Sequence, residues 1–493
     1  MAGFDNFLVA NPRYFEPMSR YQAGSEYLDL LSNLLPNDWE VVRHDVWLGA
    51  AVRGSHPPDQ GLKIHVSATA RDAQEILRRV AQVCLRSRAT FKVAADRRIL
   101  AILNAKRCAR GSSGKFMTVY PSDQEHFLKL IDDIAETTKG FTGPYILSDR
   151  RYKDSKVVFY RYGGFVQRRR LIADGTTKLV IAGAGGTIID DDRTPFFSLP
   201  EGIEDPFPAA DEMTDSGVLP LLQNRFQIID ALAFSNSGGV YTAIDGESEE
   251  TVIVKEARPY THSWSDGLVS FDAISLLQRE YNTLDYLRDL LVFPRPIALF
   301  QEWEHWFLVQ EFVSGEALRT YRARDDVILM AHIYEPDKVA SFGRIFRTIG
   351  QQLIEIIKSV HARGFILGDI SPNNILIDPS DLSVRFIDLE SAFRCDEPPA
   401  FAAFARLWRT PGFRELARFE RGDVLAPADD WFALAMLLHG LVIPIEGLVE
   451  LYPDAAPRFL RRFVNIGLPQ FVETAIANLL AGDVEAARQA LAS

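Results

Sequence analysis

Asp369, Asn374 and Asp388 stand within HARGFILGDISPNNILIDPSDLSVRFIDLE, residues 361–390. Their types and spacing suit phosphoryl transfer. One carboxylate orients an attacking hydroxyl and accepts its proton, while an amide and a second carboxylate hold Mg²⁺ on nucleotide phosphates. An Asp-x-x-x-x-Asn alone arises by chance. Here the apolar run Ile375-Leu376-Ile377 follows the Asn, and a second apolar run ends at Asp388. A separate group of residues suits the binding of a phosphate. In GLKIHVS, residues 61–67, a strand would set Lys63 and His65 on one face and Leu62, Ile64 and Val66 on the other. A cation beside an imidazole suits a bound phosphate and a proton donor. TFKVA, residues 90–94, sets Lys92 opposite Phe91 and Val93. A lysine among other cations loses basicity and can act as a base near neutral pH. Lys115, Arg150, Arg151 and Arg161 follow. Arginine is the side chain for bidentate phosphate binding. Each residue alone reads as a surface charge; together they outline a pocket for one phosphate monoester.

The elements that must carry these residues fall into two parts. In the front part, residues 71–88 and 123–138 have helical apolar spacing, the second with Ser122 or Asp123 as N-cap. Residues 62–67, 90–94, 116–120 and 157–162 read as strands, which gives an α+β pattern. Residues 183–218 are rich in Gly, Asp and Pro and read as a linker. The expected domains are 1–205, linker included, and 206–493. The rear part opens with strands near 226–234, 240–244 and 251–255 and turns helical from about 274. Lys255 ends the β-branched run that begins at Thr251, and Glu280 lies on an amphipathic helix over 276–290. A strand Lys paired with a helix Glu holds nucleotide phosphates. Gly238 and Gly239 lie between two strands, where a bare backbone can approach phosphates. The backbone near Glu311 and Val313 is placed to meet an adenine ring.

Composition sets outer limits. The chain has 493 residues, 47% hydrophobic and 24% charged, enough for ordinary cores. A net charge of −12 argues against a general nucleic-acid partner. Cys84, Cys108 and Cys395 are far apart, with no spacing for a disulfide framework or a structural zinc. No secretory signal pattern opens the chain and no apolar run reaches membrane-spanning length, so a cytoplasmic protein with no membrane partner is expected.

The rear part resembles a protein-kinase-like domain. TVIVK ending at Lys255 resembles the family's V-A-I-K, and Glu280 matches its helix Glu. GDISPNN resembles the catalytic loop, which implies Asp369 as catalytic base and Asn374 with Asp388 as metal ligands. Thr410-Pro411-Gly412-Phe413 resembles the end of an activation segment, and Asp430 the buried Asp of the next helix. Two departures stand out. The family's His-Arg-Asp is Leu367-Gly368-Asp369, so the Arg that receives activation-loop phosphate is missing. The family's Asp-Phe-Gly is Asp388-Leu389-Glu390.

The front part, through Lys63-x-His65, Lys92, Lys115 and the segment around Arg161, resembles phosphothreonine lyases. Nearly the whole chain resembles the lyase and kinase domains of class III and class IV lanthipeptide synthetases. The resemblance implies a two-step precursor dehydratase. ATP or GTP with Mg²⁺ would phosphorylate Ser and Thr of a ribosomally made, leader-bearing peptide. Phosphate would then be eliminated to dehydroalanine and dehydrobutyrine. It implies Lys92 as the base for the Cα proton and His65 as the acid. Lys63, Lys115 and Arg161 would hold the phosphate, with Arg150 or Arg151 helping. The family's cyclase zinc is held by Cys and His, and no Cys follows Cys395, so ring closure is expected from a separate cyclase or a domain outside this sequence. Two other readings stand beside this one: a signalling Ser/Thr kinase with a phosphopeptide-binding front domain, and a pseudokinase scaffold.

Overall fold

The computed structural model describes residues 20–207, 220–265, 270–324, 332–397, 401 and 410–492. The start of the chain and residues 208–218 of the expected linker lie outside these. Chain contacts divide the protein into two compact units. The first comprises Met1–Tyr241, Lys255–Ser275 and Gln301–Trp306; the second comprises Thr242–Val254, Leu276–Phe300 and Phe307–Ser493. Among the described residues no helix is long and apolar enough to cross a membrane.

The first unit is organised by seven strands: β1 (Trp39–His44), β2 (Trp47–Val52), β3 (Gln60–Val66), β4 (Thr90–Ala94), β5 (Met117–Tyr120), β6 (Arg150–Arg151) and β7 (Val158–Gly164). They form one sheet in the order β1-β2-β4-β5-β3-β7-β6, each neighbour antiparallel. Alternation gives the sheet two unlike faces. Ile64, Val66, Phe91, Val93, Met117, Val119, Val158 and Tyr160 join the hydrophobic core with the apolar stripes of helices Ala73–Ser87 and Gln124–Thr137. The first helix ends at Arg88 in the left-handed conformation (φ 55°), and the second is capped by Asp123, which accepts from the His126 amide at 2.8 Å. Both helices and the four strands expected here are present, with ends shifted by a few residues.

The expected linker differs in its first half. Thr177–Ala182 pairs with Arg168–Leu171 and Ile188–Asp190 in a three-stranded antiparallel sheet. Beyond it, Phe197 and Phe207 pack against the core. The Gly and Asp residues of this stretch serve tight turns and charge pairs inside the first unit.

A six-stranded sheet runs Leu221–Leu222, Phe226–Ser235, Gly238–Asp245, Thr251–Ala257, His305–Glu311, Pro296–Glu302 in spatial order. The helix carrying Glu280 spans Ala273–Tyr286, starting and ending earlier than its sequence pattern suggests, and gives way to a 3₁₀ turn at Arg288–Leu290. From Pro336 on, the second unit is mostly helical. Its central helix, Pro336–Ala362, buries Phe346, Ile349, Leu353 and Ile357, with Pro336 in its first turn where the missing N–H costs nothing.

Candidate active sites

In the first unit, strand register collects the cations. Gly49, Lys92, Thr118, His65, Phe159 and Arg151 are directly opposed across successive strands. Residues so opposed project from the same face. Lys63 and Arg161 form the next pair on that face. Lys92 and His65 are rooted two strands apart, roughly 10 Å at Cα. Their side chains therefore flank Thr118 on one face of the sheet.

Each charge has an identifiable hold. Lys63 Nζ donates to Gly164 O at 2.9 Å. Arg161 Nη2 donates to the Asp191 carboxylate, and Arg161 Nε to Tyr162 O at 3.1 Å. A Cβ on Gly163 would lie 2.9 Å from Asp191 Oδ1, 3.1 Å from Lys63 Nζ and 3.2 Å from Arg161 Nη2. The bare backbone there lets these three charges converge. Lys115 Nζ donates to Gly111 O at 2.8 Å and lies 3.5 Å from Asp149 Oδ1. His65 Nδ1 is hydrogen-bonded to the Asp149 carboxylate, which also accepts from Ser148 Oγ at 2.7 Å. This leaves Nε2 as the ring atom for substrate. Lys92 Nζ sits 4.5 Å from the centre of the Trp47 ring, which fixes the amine laterally.

Crowding and burial shift the protonation of the group. Burial, then the Arg161 charge, pushes Lys63 down to about 7. Burial, then Arg193 and Lys115, pushes Lys92 down to about 8. Lys115 is pushed down to about 8 by burial, against the pull of Asp149. Burial lowers His65 to about 3, again against Asp149. Asp149 is itself buried, which alone would raise it; the neighbouring His65 and Lys115 hold it well below the usual carboxylate range. The resting arrangement is thus an ionised Asp149, a neutral His65 and lysines able to titrate near neutrality.

Two expected phosphate ligands are placed elsewhere. Arg150 is opposed to Tyr160, one residue out of phase with the Lys63–Arg161 pair, so it leaves on the other face of the sheet. There it pairs with Asp205 and lies 4.4 Å from the Phe197 ring centre. Arg151 shares the face of His65, but its guanidinium is committed to Glu304 through two bonds of 2.9 and 2.6 Å, beside the rings of Tyr145 and Trp303. Neither is free for substrate phosphate. No site role was expected for Asp149, Thr118, Asp191 or Arg193. Charge balance was the available signal for the acids, since a cluster of cations inside a fold requires carboxylates. Arg193 is exposed, and its charge acts on Lys63, Lys92 and Lys115.

In the second unit, Asp369, Asn374 and Asp388 come together. Asn374 Nδ2 donates to Asp369 O at 3.1 Å and to Asp369 Oδ2 at 3.2 Å. The Ile387 amide donates to Asn374 O at 3.0 Å, which ties the segment before Asp388 to the same loop. Glu280 is buried and accepts from the Leu389 amide at 3.2 Å. Thr410 Oγ1 donates to Asp369 Oδ1 at 2.8 Å. Buried Asp430 accepts from the Leu367 and Gly368 amides, each at 2.9 Å, and pairs with His361 Nε2 at 2.9 Å. Gly368 has φ +78°, a conformation costly for other residues, and a Cβ there would lie 3.0 Å from Ser391 O. The departure from His-Arg-Asp thus has a backbone reason.

Asn374 and Asp388 suit a Mg²⁺ ion shared with nucleotide phosphates. With its amide nitrogen on Asp369, Asn374 keeps its oxygen as the end available to a metal. Glu311 pairs its carboxylate with Arg385 at 2.9 Å and donates its amide to Arg295 O at 2.9 Å, and buried Val313 follows on the connector. Lys255, Gly238 and Gly239 belong to the first unit. Lys255 is half-buried on its strand. A Cβ on Gly238 would lie 1.9 Å from Glu256 O, so this glycine has a packing reason independent of any phosphate.

Comparison with known proteins matches residues 28–217 to the family described as RamC, N-terminal domain, and residues 226–446 to the protein kinase domain. The chain is 34% identical over 452 residues to a probable SapB synthase of Streptomyces coelicolor, covering 91% of this chain and 47% of that protein. It is 26% identical over 211 residues to serine/threonine-protein kinase C of Synechocystis sp., covering 40% of this chain and 35% of that protein. It is 27% identical over 172 residues to serine/threonine-protein kinase PknA of Nostoc sp., covering 34% and 28% respectively. The chain therefore spans about half, or less, of the length of these relatives.

Proposed function

This chain joins a RamC N-terminal domain to a protein kinase domain, the pair found in class III and class IV lanthipeptide synthetases, and from that premise we propose that it dehydrates a precursor peptide in two steps. In the first, Asp369 orients a Ser or Thr hydroxyl and accepts its proton as the terminal phosphoryl of ATP or GTP is transferred. Asn374 and Asp388 would hold Mg²⁺, which supplies charge neutralisation on the phosphates. In the second, neutral Lys92 Nζ takes the Cα proton of the phosphorylated residue. The electron pair forms the Cα–Cβ double bond and the Cβ–O bond breaks. Phosphate leaves against Lys63, Lys115 and Arg161, and His65 Nε2 supplies the proton that the departing oxygen needs.

The observation that carries this reading is the single row Lys92–Thr118–His65, with Lys63 opposite Arg161 one pair along. It puts Lys92 and His65 on either side of Thr118, with Lys63 and Arg161 next to His65, which supports reading them as base, proton carrier and phosphate cations. Resting His65 is neutral with its N–H on Asp149, so Nε2 must first take a proton from solvent before it can act as the acid. An arriving phosphate dianion supplies next to Nε2 the negative charge that favours imidazolium, reversing the effect of burial. The assignment is tested by mass spectrometry of a Ser/Thr-rich precursor peptide incubated with the protein, nucleotide and Mg²⁺. The wild type is expected to yield peptide that has lost water. Lys92→Met is expected to slow elimination by ~10²–10⁴-fold and accumulate phosphopeptide. Unchanged dehydration by that variant would remove Lys92 from the chemistry. A signalling kinase would instead give a stable phosphopeptide with the wild type. Ring closure is not assigned to these residues.

A further inference from the structure

The hairpin tip between Phe226–Ser235 and Gly238–Asp245 is buried, although hairpin turns usually face solvent. Asn236, at that tip, has no exposed surface. Its amide donates to Lys106 O at 2.9 Å and its Nδ2 to Ala105 O at 3.0 Å. Its Oδ1 accepts from Ser113 Oγ, and its carbonyl accepts from Arg258 Nη1 at 2.8 Å. Backbone and side chain alike are thus fixed by a socket formed by residues 105–113. All these residues belong to the first compact unit.

The socket is not an arbitrary surface. Residues 105–113 lead to Lys115, whose Nζ is held by Gly111 O at 2.8 Å within the same loop. Arg258 lies three residues beyond Lys255. Besides Asn236 it donates through Nη2 to Tyr145 O at 2.5 Å, and its amide donates to Ser237 O at 2.7 Å. The segment from Tyr145 runs on to Asp149, the partner of His65, through the Asp149 amide to Ile146 O at 3.1 Å. One polar cluster therefore joins the turn before Gly238 and the strand of Lys255 to the two loops that orient Lys115 and His65.

We propose that Asn236 is a positioning residue shared by the two reactions: by docking the glycine turn into the Lys115 loop, it makes elimination respond to nucleotide. This rests on the function proposed above, together with the sequence-based expectation that Gly238, Gly239 and Lys255 engage nucleotide phosphates. The two states are the tip docked and the tip released. Nucleotide on the glycine turn favours the docked state, in which Lys115 and Asp149 are held for elimination. Coupling of this kind is reciprocal, so a bound phosphopeptide tightens nucleotide binding by the same factor.

The test uses a synthetic phosphoserine peptide, so that elimination is followed without prior phosphorylation. Its rate is measured with and without a non-hydrolysable ATP analogue and Mg²⁺, and analogue binding is followed separately by anisotropy. For the wild type we expect elimination to speed up about fivefold, the lower end of ordinary coupling. Asn236→Ala, which loses the docked state, should lower the analogue-free rate and lose the acceleration. Ser113→Ala removes a single bond to Asn236 and guards against misfolding of the first variant; it should show a reduced acceleration. If the wild type binds the analogue and eliminates phosphate at a rate indifferent to it, the coupling is overturned. If Asn236→Ala and Ser113→Ala, both folded by circular dichroism, keep the full acceleration, the coupling runs elsewhere and Asn236 is overturned as its carrier. Failure of the wild type to bind the analogue or to eliminate phosphate would instead overturn the function on which the inference rests.

Discussion

The two candidate sites differ in charge and in backbone, and under the proposed function both would handle the same phosphoryl group. In the first unit, Lys63, His65, Lys92 and Arg161 project from adjacent strands of one sheet, and their spacing is set by register. In the second, Asp369, Asn374 and Asp388 sit on loops held by individual bonds: Asp430 to the Leu367 and Gly368 amides, Asn374 to the Ile387 amide. Elimination must stabilise a leaving anion, so fixed cations suit it. Phosphoryl transfer must accommodate a metal and a moving substrate, so carboxylates on adjustable loops suit it. A sheet resists rearrangement, and its cations lower one another's basicity because they cannot move apart.

The sharpest way to break this contrast is to remove one site and leave the other. Asp388→Asn is expected to reduce phosphorylation to background, while elimination from a synthetic phosphopeptide persists near the wild-type rate. Radiolabel transfer and mass spectrometry read the two steps separately. Loss of both would show that the sites are not chemically distinct. On the sheet, Arg161→Ala should slow elimination by ~10²–10³-fold, the usual cost of losing a preorganised donor to a developing charge. Phosphorylation by that variant should be retained. An elimination rate within a few-fold of wild type would show that Lys63 and Lys115 neutralise the leaving group without it.

The protonation states give a graded test. Lys92 must be neutral, which by itself would make activity rise with pH up to about 8. Lys63 must be charged, so phosphate capture falls as pH rises through about 7. The proton that His65 must gain offsets the one that Lys92 must lose, so kcat/KM for a synthetic phosphopeptide, which reports the free enzyme, should be level below about 7 and fall above it. Lys63→Arg keeps the charge and should move the falling limb up to that of Lys115, about 8. A profile that keeps its falling limb in Lys63→Arg would assign that limb to another group.

How much of each site was legible follows from the same contrast. The loop site lies within a short stretch, and its residue types are nearly sufficient to define it. The sheet site is dispersed, yet Lys63, His65 and Lys92 were legible because each sits in a strand long enough to show alternation. Arg150 and Arg151 were not. Their strand has two residues, so its phase comes only from the pairing with Tyr160 and Phe159. Asp149 and Ser148 lie just before that strand, where no periodicity marks burial. Arg193 follows a Gly- and Asp-rich stretch whose composition resembles a tether; its return to the first unit depends on the hairpin of Thr177–Ala182 and Ile188–Asp190.

Arg150 supplies the smallest and most discriminating effect. Its partner Asp205 also accepts from Tyr160 Oη at 2.7 Å, and the adjoining rings of Phe197 and Phe207 pack on the core. Removing the guanidinium leaves a carboxylate without its cation beside apolar rings. A fully buried pair broken in this way costs about 3–5 kcal/mol. Arg150 keeps 22% exposure of its side chain, so water offsets part of that cost. For Arg150→Ala we expect about 1–3 kcal/mol of lost stability, a fall of several degrees in Tm. Elimination measured well below that Tm should stay within about twofold of wild type, because the residue stabilises the far side of the sheet and leaves the cation face intact. A rate loss comparable to that of Arg161→Ala, with Tm unchanged, would return Arg150 to the phosphate pocket and would mean that the phase of this short strand differs during turnover.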